Sequence, residues 1–144
     1  MKLSRMIVAV SLALAVAGCS GTLTTLRNLA SGVDARVPSN PDTVVWGHLP
    51  AGRLPVLTIR SGQTVKIDTV SHQGLINGTD PVQFFGAAGI AAGDVLPDAI
   101  EIYKKVPRPK DAGAHVLTGP IYIEGAEPGD LLEVRMIDFE FRVP

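Results

Sequence analysis

The spacing of hydrophobic positions changes several times along this chain, and each change marks an element. Leu57 and Ile59 alternate with Thr58 and Arg60, and Val65 and Ile67 alternate with Lys66 and Asp68. A period of two turns one apolar face to a core and one polar face to solvent. Ser61-Gly62-Gln63 lies between the two runs, so residues 56–60 and 64–69 predict a β-hairpin with Asp68 on its polar face. Upstream, Val44-Val45-Trp46 predicts the strand that begins ordered structure, followed by a loop at Pro50 to Arg53. Residues 71–93 carry a turn signal at Asn77-Gly78 and a small-residue run after Phe85 that reads as a close-packed connection, with Asp80 in a turn.

A helical period appears only once. Leu96, Ile100 and Tyr103 recur at i, i+4 and i+7, which predicts one short helix around 95–105 with that stripe buried. Asp94 is placed to cap its start and Pro97 suits its first turn, while Pro107 and Pro109 end it. Glu101 and Lys105 form a favourable i,i+4 pair. Lys104, Lys105, Arg108 and Lys110 read as a solvated helix end near its negative pole. Residues 106–114 form a polar, basic connector.

The last thirty residues return to period two. Ile121-Tyr122-Ile123 predicts a strand, and Glu127-Pro128-Gly129-Asp130 carries the Pro and Gly positions of a type II turn. Leu132, Val134 and Met136 then predict a return strand. Its phase slips by one residue into Ile137, Phe139, Phe141 and Val143, as a β-bulge would require. No repeat of fixed period is present. The chain therefore reads as all-β with a single short helix.

The first residues follow another logic. Lys2 and Arg5 precede an apolar run from Met6 to Ala17, too short to span a bilayer and suited to a signal peptide. Val16-Ala17-Gly18-Cys19 resembles a lipoprotein box, in which Cys19 is acylated, and Ser20 resembles the signal for passage to the outer membrane. This divides the chain into a signal peptide (1–18), a lipid-anchored tether (19–43, where Pro38 and Pro41 keep the chain extended) and one β domain (44–144). Cys19 is the single cysteine, so the domain has no disulfide and depends on its core. Thirteen basic against fourteen acidic residues give no electrostatic reason to expect nucleic acid.

The sequence contains no Gly-rich phosphate loop, HExxH, CxxC or G-x-S-x-G. The densest polar group is His115, Glu124, Glu127 and Asp130. A carboxylate at a strand end suits a general base, and with a histidine it suits a divalent metal. Glu127 and Asp130 read first as the corners of a solvated turn, ahead of a catalytic role. Glu124 follows its strand directly, on the face of Tyr122, and is the better catalytic candidate; His115 is the metal candidate. His48 and His72 are isolated and read as loop histidines, with no spacing that argues for a shared metal.

HVLTGPIYIEGAEPGDLLEVRMID resembles a motif of the acetamidase/formamidase family: TGP, a strand, EGAEPGD, then a strand rich in Leu, Glu and Val. VVWGHL, LPVLTIRSGQTVKIDTVS and DPVQFFGAAGI are similar to that family's N-terminal part, so the likeness covers roughly residues 40–144. It implies a hydrolase for the C–N bond of small linear amides such as formamide or acetamide, releasing ammonia. It also implies a jelly-roll β-sandwich, oligomers, and in some members a divalent metal. Glu124 is then expected as base, His115 as metal ligand or proton donor, Glu127 and Asp130 as further catalytic candidates, and the Gly119 or Gly125 amide as oxyanion donor. Family members are much longer, so the chain is expected to be a truncated, N-terminal part of such a domain. It would self-associate or take its missing half from another chain. The alternative is a non-catalytic β-sandwich lipoprotein module.

Overall fold

The structure, a computed structural model, describes residues 32–76 and 80–143. The signal peptide, Cys19 and the Asn77-Gly78 turn lie outside the described residues. Six three-residue strands form three two-stranded sheets: β1 (Ala35–Val37) with β4 (Val65–Ile67), β2 (Val44–Trp46) with β5 (Val116–Thr118), and β3 (Leu57–Ile59) with β6 (Ile121–Ile123). The first and third pairs are parallel and the second is antiparallel. Among the described residues, helical structure is limited to α1 (Pro81–Gly86), α2 (Pro97–Lys105) and a 3-10 turn at Ala92–Asp94. The described chain is thus strand-rich with little helix. None of its helices is long and apolar enough to cross a membrane.

The ladders reach beyond their strands. The Gly47 N–H donates to the His115 carbonyl at 2.7 Å and the Gly119 N–H to that of Thr43 at 2.8 Å, closing both ends of β2–β5. Val44, Trp46, Val70, Leu75, Ala99 and Ile102 form the core between this ladder and α2. The Trp46 indole N–H donates to the Val106 carbonyl at 3.2 Å, so the largest core side chain is satisfied as well as buried.

The expected hairpin of residues 56–69 does not form. A turn closes from Arg60 to Gln63 (3.2 Å) with Gly62 at φ 86°, the arrangement of a type II turn. That geometry splays flanking strands, whereas hairpins favour the mirror-image turns. β3 and β4 accordingly leave for different sheets. Asp68 is also not on a polar face: it is buried, and its carboxylate accepts from Arg36 Nε at 3.1 Å and NH2 at 2.6 Å. Ile67, expected inside, is exposed.

Order begins before Val44, so the described part of the expected tether belongs to the fold. Val37 and Ser39 are buried, and Asn40 Oδ1 accepts from the Asp42 and Thr43 N–H groups in a tight turn. Pro38 precedes this turn and Pro41 is its second residue, where a fixed φ suits it, rather than part of an extended linker. The expected helix is present at Pro97–Lys105, and among the described residues a second, Pro81–Gly86, joins it. Asp80 caps α1, accepting from the Gln83 N–H at 2.9 Å, with Pro81 in its first turn. α2 is capped at Leu96, not Asp94, and buries Ala99 and Ile102 rather than Ile100 and Tyr103. The buried stripe lies one residue from the expected one: Ala99 and Ile102 enter the core, Val106 and Leu96 at the helix ends pack against it, and Val95 before the helix is buried. The Glu101–Lys105 pair forms as expected, at 3.1 Å.

The Glu127–Asp130 turn also forms, closing at 3.1 Å with Gly129 at φ 107°. The return strand and its bulge do not: residues 131–143 carry no strand and expose most of their apolar side chains.

Candidate functional site

Two histidines remote in sequence meet on the surface beside the β2–β5 ladder. The His72 and His115 ring centroids lie 5.0 Å apart, with the rings nearly perpendicular at 84°. His72 opens a turn in which the Leu75 N–H donates to its carbonyl at 3.0 Å. Gly74, at φ 78°, is required there twice over: a Cβ would also press into the Phe84 ring, 2.9 Å away. Leu75 plugs into the core and the Ser71 hydroxyl accepts from the Gln73 N–H at 3.1 Å, so the backbone carrying His72 is pinned on both sides.

His115 is pinned differently. It precedes β5, where Val116 pairs with buried Trp46, and its carbonyl accepts the Gly47 N–H. Gly47 has φ 47°, and its backbone lies so close on that of Gly113 that a side chain there would occupy the space of the Gly113 peptide. His115 is exposed and His72 partly so, which leaves the pair open to a small solute. The Gln73 side-chain amide lies 3.4 Å from His72 Nε2.

His48 stays a loop histidine, as expected. Its Nδ1 lies 2.5 Å from the Trp46 carbonyl, which can only accept, so Nδ1 carries the proton.

The three carboxylates sit elsewhere, on the turns after β6. Glu124 is exposed, and its Oε2 accepts from Arg60 Nε at 2.7 Å across the end of the β3–β6 ladder. Asp130 Oδ2 accepts the Glu127 N–H at 2.9 Å, so Asp130 braces its own solvated turn. His115 and Glu124 lie at opposite ends of the segment running through β5, Gly119-Pro120 and β6. The Gly119 N–H is already donated to Thr43, which removes it as an oxyanion donor. Gly125, at φ 80°, lies in a separate exposed turn closed from Ala126 to Ile123 at 3.2 Å.

Among the described residues, no three His, Cys, Asp or Glu side chains stand close enough together to hold one metal. The His72 and His115 rings meet edge to face at the distance of an ordinary aromatic contact, and the pair supplies two donors where catalytic zinc takes three. An open groove of about 400 Å³ lies between Trp46, Leu75, Tyr103, Lys105 and Arg108, and a smaller apolar one of about 140 Å³ lies against Leu117 and Pro120. Neither is lined by the histidine pair or the carboxylates.

Sequence reasoning singled out His115 but left His72 as an isolated loop residue. The signal that could have found it is Ser71-His72-Gln73-Gly74, in which a glycine two residues after the histidine marks a tight turn holding it in place. Family models and curated proteins alike give no match to this chain.

Proposed function

We propose that this chain is part of a hydrolase of the acetamidase/formamidase type, cleaving the C–N bond of small linear amides at the His72–His115 pair. The convergence of the two imidazoles carries this reading. The EGAEPGD segment and its flanking residues support the family and, with it, a sandwich of jelly-roll type. Export and anchoring through acylated Cys19, at the periplasmic face of the outer membrane, belong to the same proposal.

Amide hydrolysis needs a base for water, a donor for the carbonyl oxygen and an acid for the leaving nitrogen. His72 takes a proton from water as it adds to the carbonyl carbon. The Gln73 amide stabilises the oxygen that becomes negative. His115 gives a proton to the amide nitrogen as the C–N bond breaks, releasing ammonia and a carboxylic acid that ionises in water, and the proton held by His72 returns to His115 through solvent. Glu124 is moved out of the base role because it already pairs with Arg60 on a different ladder. If a divalent cation were bound, His72 and His115 would hold it through their lone pairs instead of serving as base and acid, and it would supply polarisation of the amide carbonyl.

The exposed Arg60–Glu124 pair and the self-contained Glu127–Asp130 turn favour a second reading, a non-catalytic lipoprotein module. Ammonia release from formamide and acetamide by the purified protein separates the two. Turnover that His115→Gln abolishes and Glu124→Gln leaves intact supports the hydrolase. Turnover lost with Glu124→Gln and kept with His115→Gln returns the base role to Glu124, and no turnover favours the module.

A further inference from the structure

The segment after the Glu127–Asp130 turn is complementary to itself. Residues 131–137 read Leu-Leu-Glu-Val-Arg-Met-Ile. In reverse order the same types return, with the two central charges exchanged in sign. Among the described residues the segment has no strand partner; its Arg135 Nε donates to Glu133 Oε1 at 2.6 Å on an exposed face, a pair that would be exchanged for contacts to a second copy, and its apolar side chains stand in water: Leu131 is 98% exposed and even Leu132, the least exposed of the five, is 61% exposed. Its far end is tied down. Arg142 NH2 donates to Asp98 Oδ2 on α2 at 2.6 Å, and Glu140 pairs with Lys66 on β4. The segment is therefore presented from the surface between a braced turn and two ion pairs.

The chain's own β6 is an unfavourable partner. Folding back across the Glu127–Asp130 turn would set Glu133 directly opposite Glu124, and like charges facing across a ladder repel. The turn has the type II arrangement, which splays strands. A second turn, Ile123–Ala126, bends the chain away from β6 first.

We propose that residues 131–137 of two copies pair as antiparallel strands about a two-fold axis through Val134. In this register Glu133 faces the partner's Arg135 and Arg135 faces the partner's Glu133. Leu132 faces the partner's Met136, Leu131 faces the partner's Ile137, and Val134 faces its own counterpart. Leu132, Val134 and Met136 share one face, so six apolar side chains gather there while both ion pairs form on the other. The contact is isologous and closes at two copies. Seven residues is an ordinary strand length. Nothing in this pairing depends on chemistry at the histidines.

Charge reversal tests it. Glu133→Arg alone, or Arg135→Glu alone, sets like charges opposite each other at both ion pairs. Each single variant of the full chain, in one mild detergent throughout, is expected to dimerise roughly tenfold more weakly or worse by sedimentation, with an unchanged circular dichroism spectrum. The double variant E133R/R135E restores dimerisation. An equimolar mixture of the two single variants also associates, because the doubly positive segment of one meets the doubly negative segment of the other. A wild-type chain that stays monomeric at the highest concentration reached overturns the proposal. So does a dimer indifferent to single reversal, or a double variant as weak as the single ones.

Discussion

Gly47 fixes more of this molecule than any large side chain beside it. Its φ of 47° favours glycine, and its contact with the Gly113 backbone leaves no room for a Cβ. Gly47→Ala is expected to cost roughly 2–4 kcal/mol, from a left-handed alanine and from forcing apart the chain leading into His115. Urea denaturation followed by tryptophan fluorescence measures this, since Trp46 adjoins the site and is the only tryptophan. Asp68 is the other residue on which much depends. It is buried, takes two bonds from Arg36, and its carbonyl accepts from the Thr118 hydroxyl at 3.0 Å, linking two sheets. Asp68→Asn is expected to cost about 1–3 kcal/mol, toward the lower end because the Arg36 side chain is half exposed and regains water. The same denaturation curve reads that loss.

At the scale of elements, turns decided what the sequence made legible. Strands around Val44–Trp46, Leu57–Ile59, Val65–Ile67 and Ile121–Ile123 follow from β-branched runs, and each is present. Their pairing was not legible, because the turn at Gly62 sends β3 and β4 to different sheets. Three-residue strands also give too little alternation to fix which face is buried, hence the exchanged places of Ile67 and Asp68. The helix at 97–105 was legible from its period and prolines, but its buried stripe runs through Ala99 and Ile102, with Val106 packed on the core beyond its end. Ile102, fully buried at the centre of that stripe, tests the corrected phase. Ile102→Ala is expected to cost about 2–5 kcal/mol, and Tyr103→Ala much less, in thermal melts of the two variants. Equal losses would return the stripe to Tyr103. At the site, His115 was legible beside a strand, whereas His72 was not. Its proximity depends on the Gly74 turn and the plug of Leu75.

At the scale of the whole molecule, a small core meets an exposed apolar segment and an open histidine pair. The core keeps the backbones of His72 and His115 in register from opposite sides, and the two rings would then act as one acid–base unit. Residues that act as a unit are strongly non-additive when removed. The most direct test is ammonia release from formamide by wild type, His72→Ala, His115→Ala and the double variant, each first shown by its melt to be folded. The account predicts that each single substitution lowers turnover by about 10²-fold or more, and that the double variant falls little further. Turnover that survives either single substitution, or losses that simply multiply, would contradict a site built on this pair.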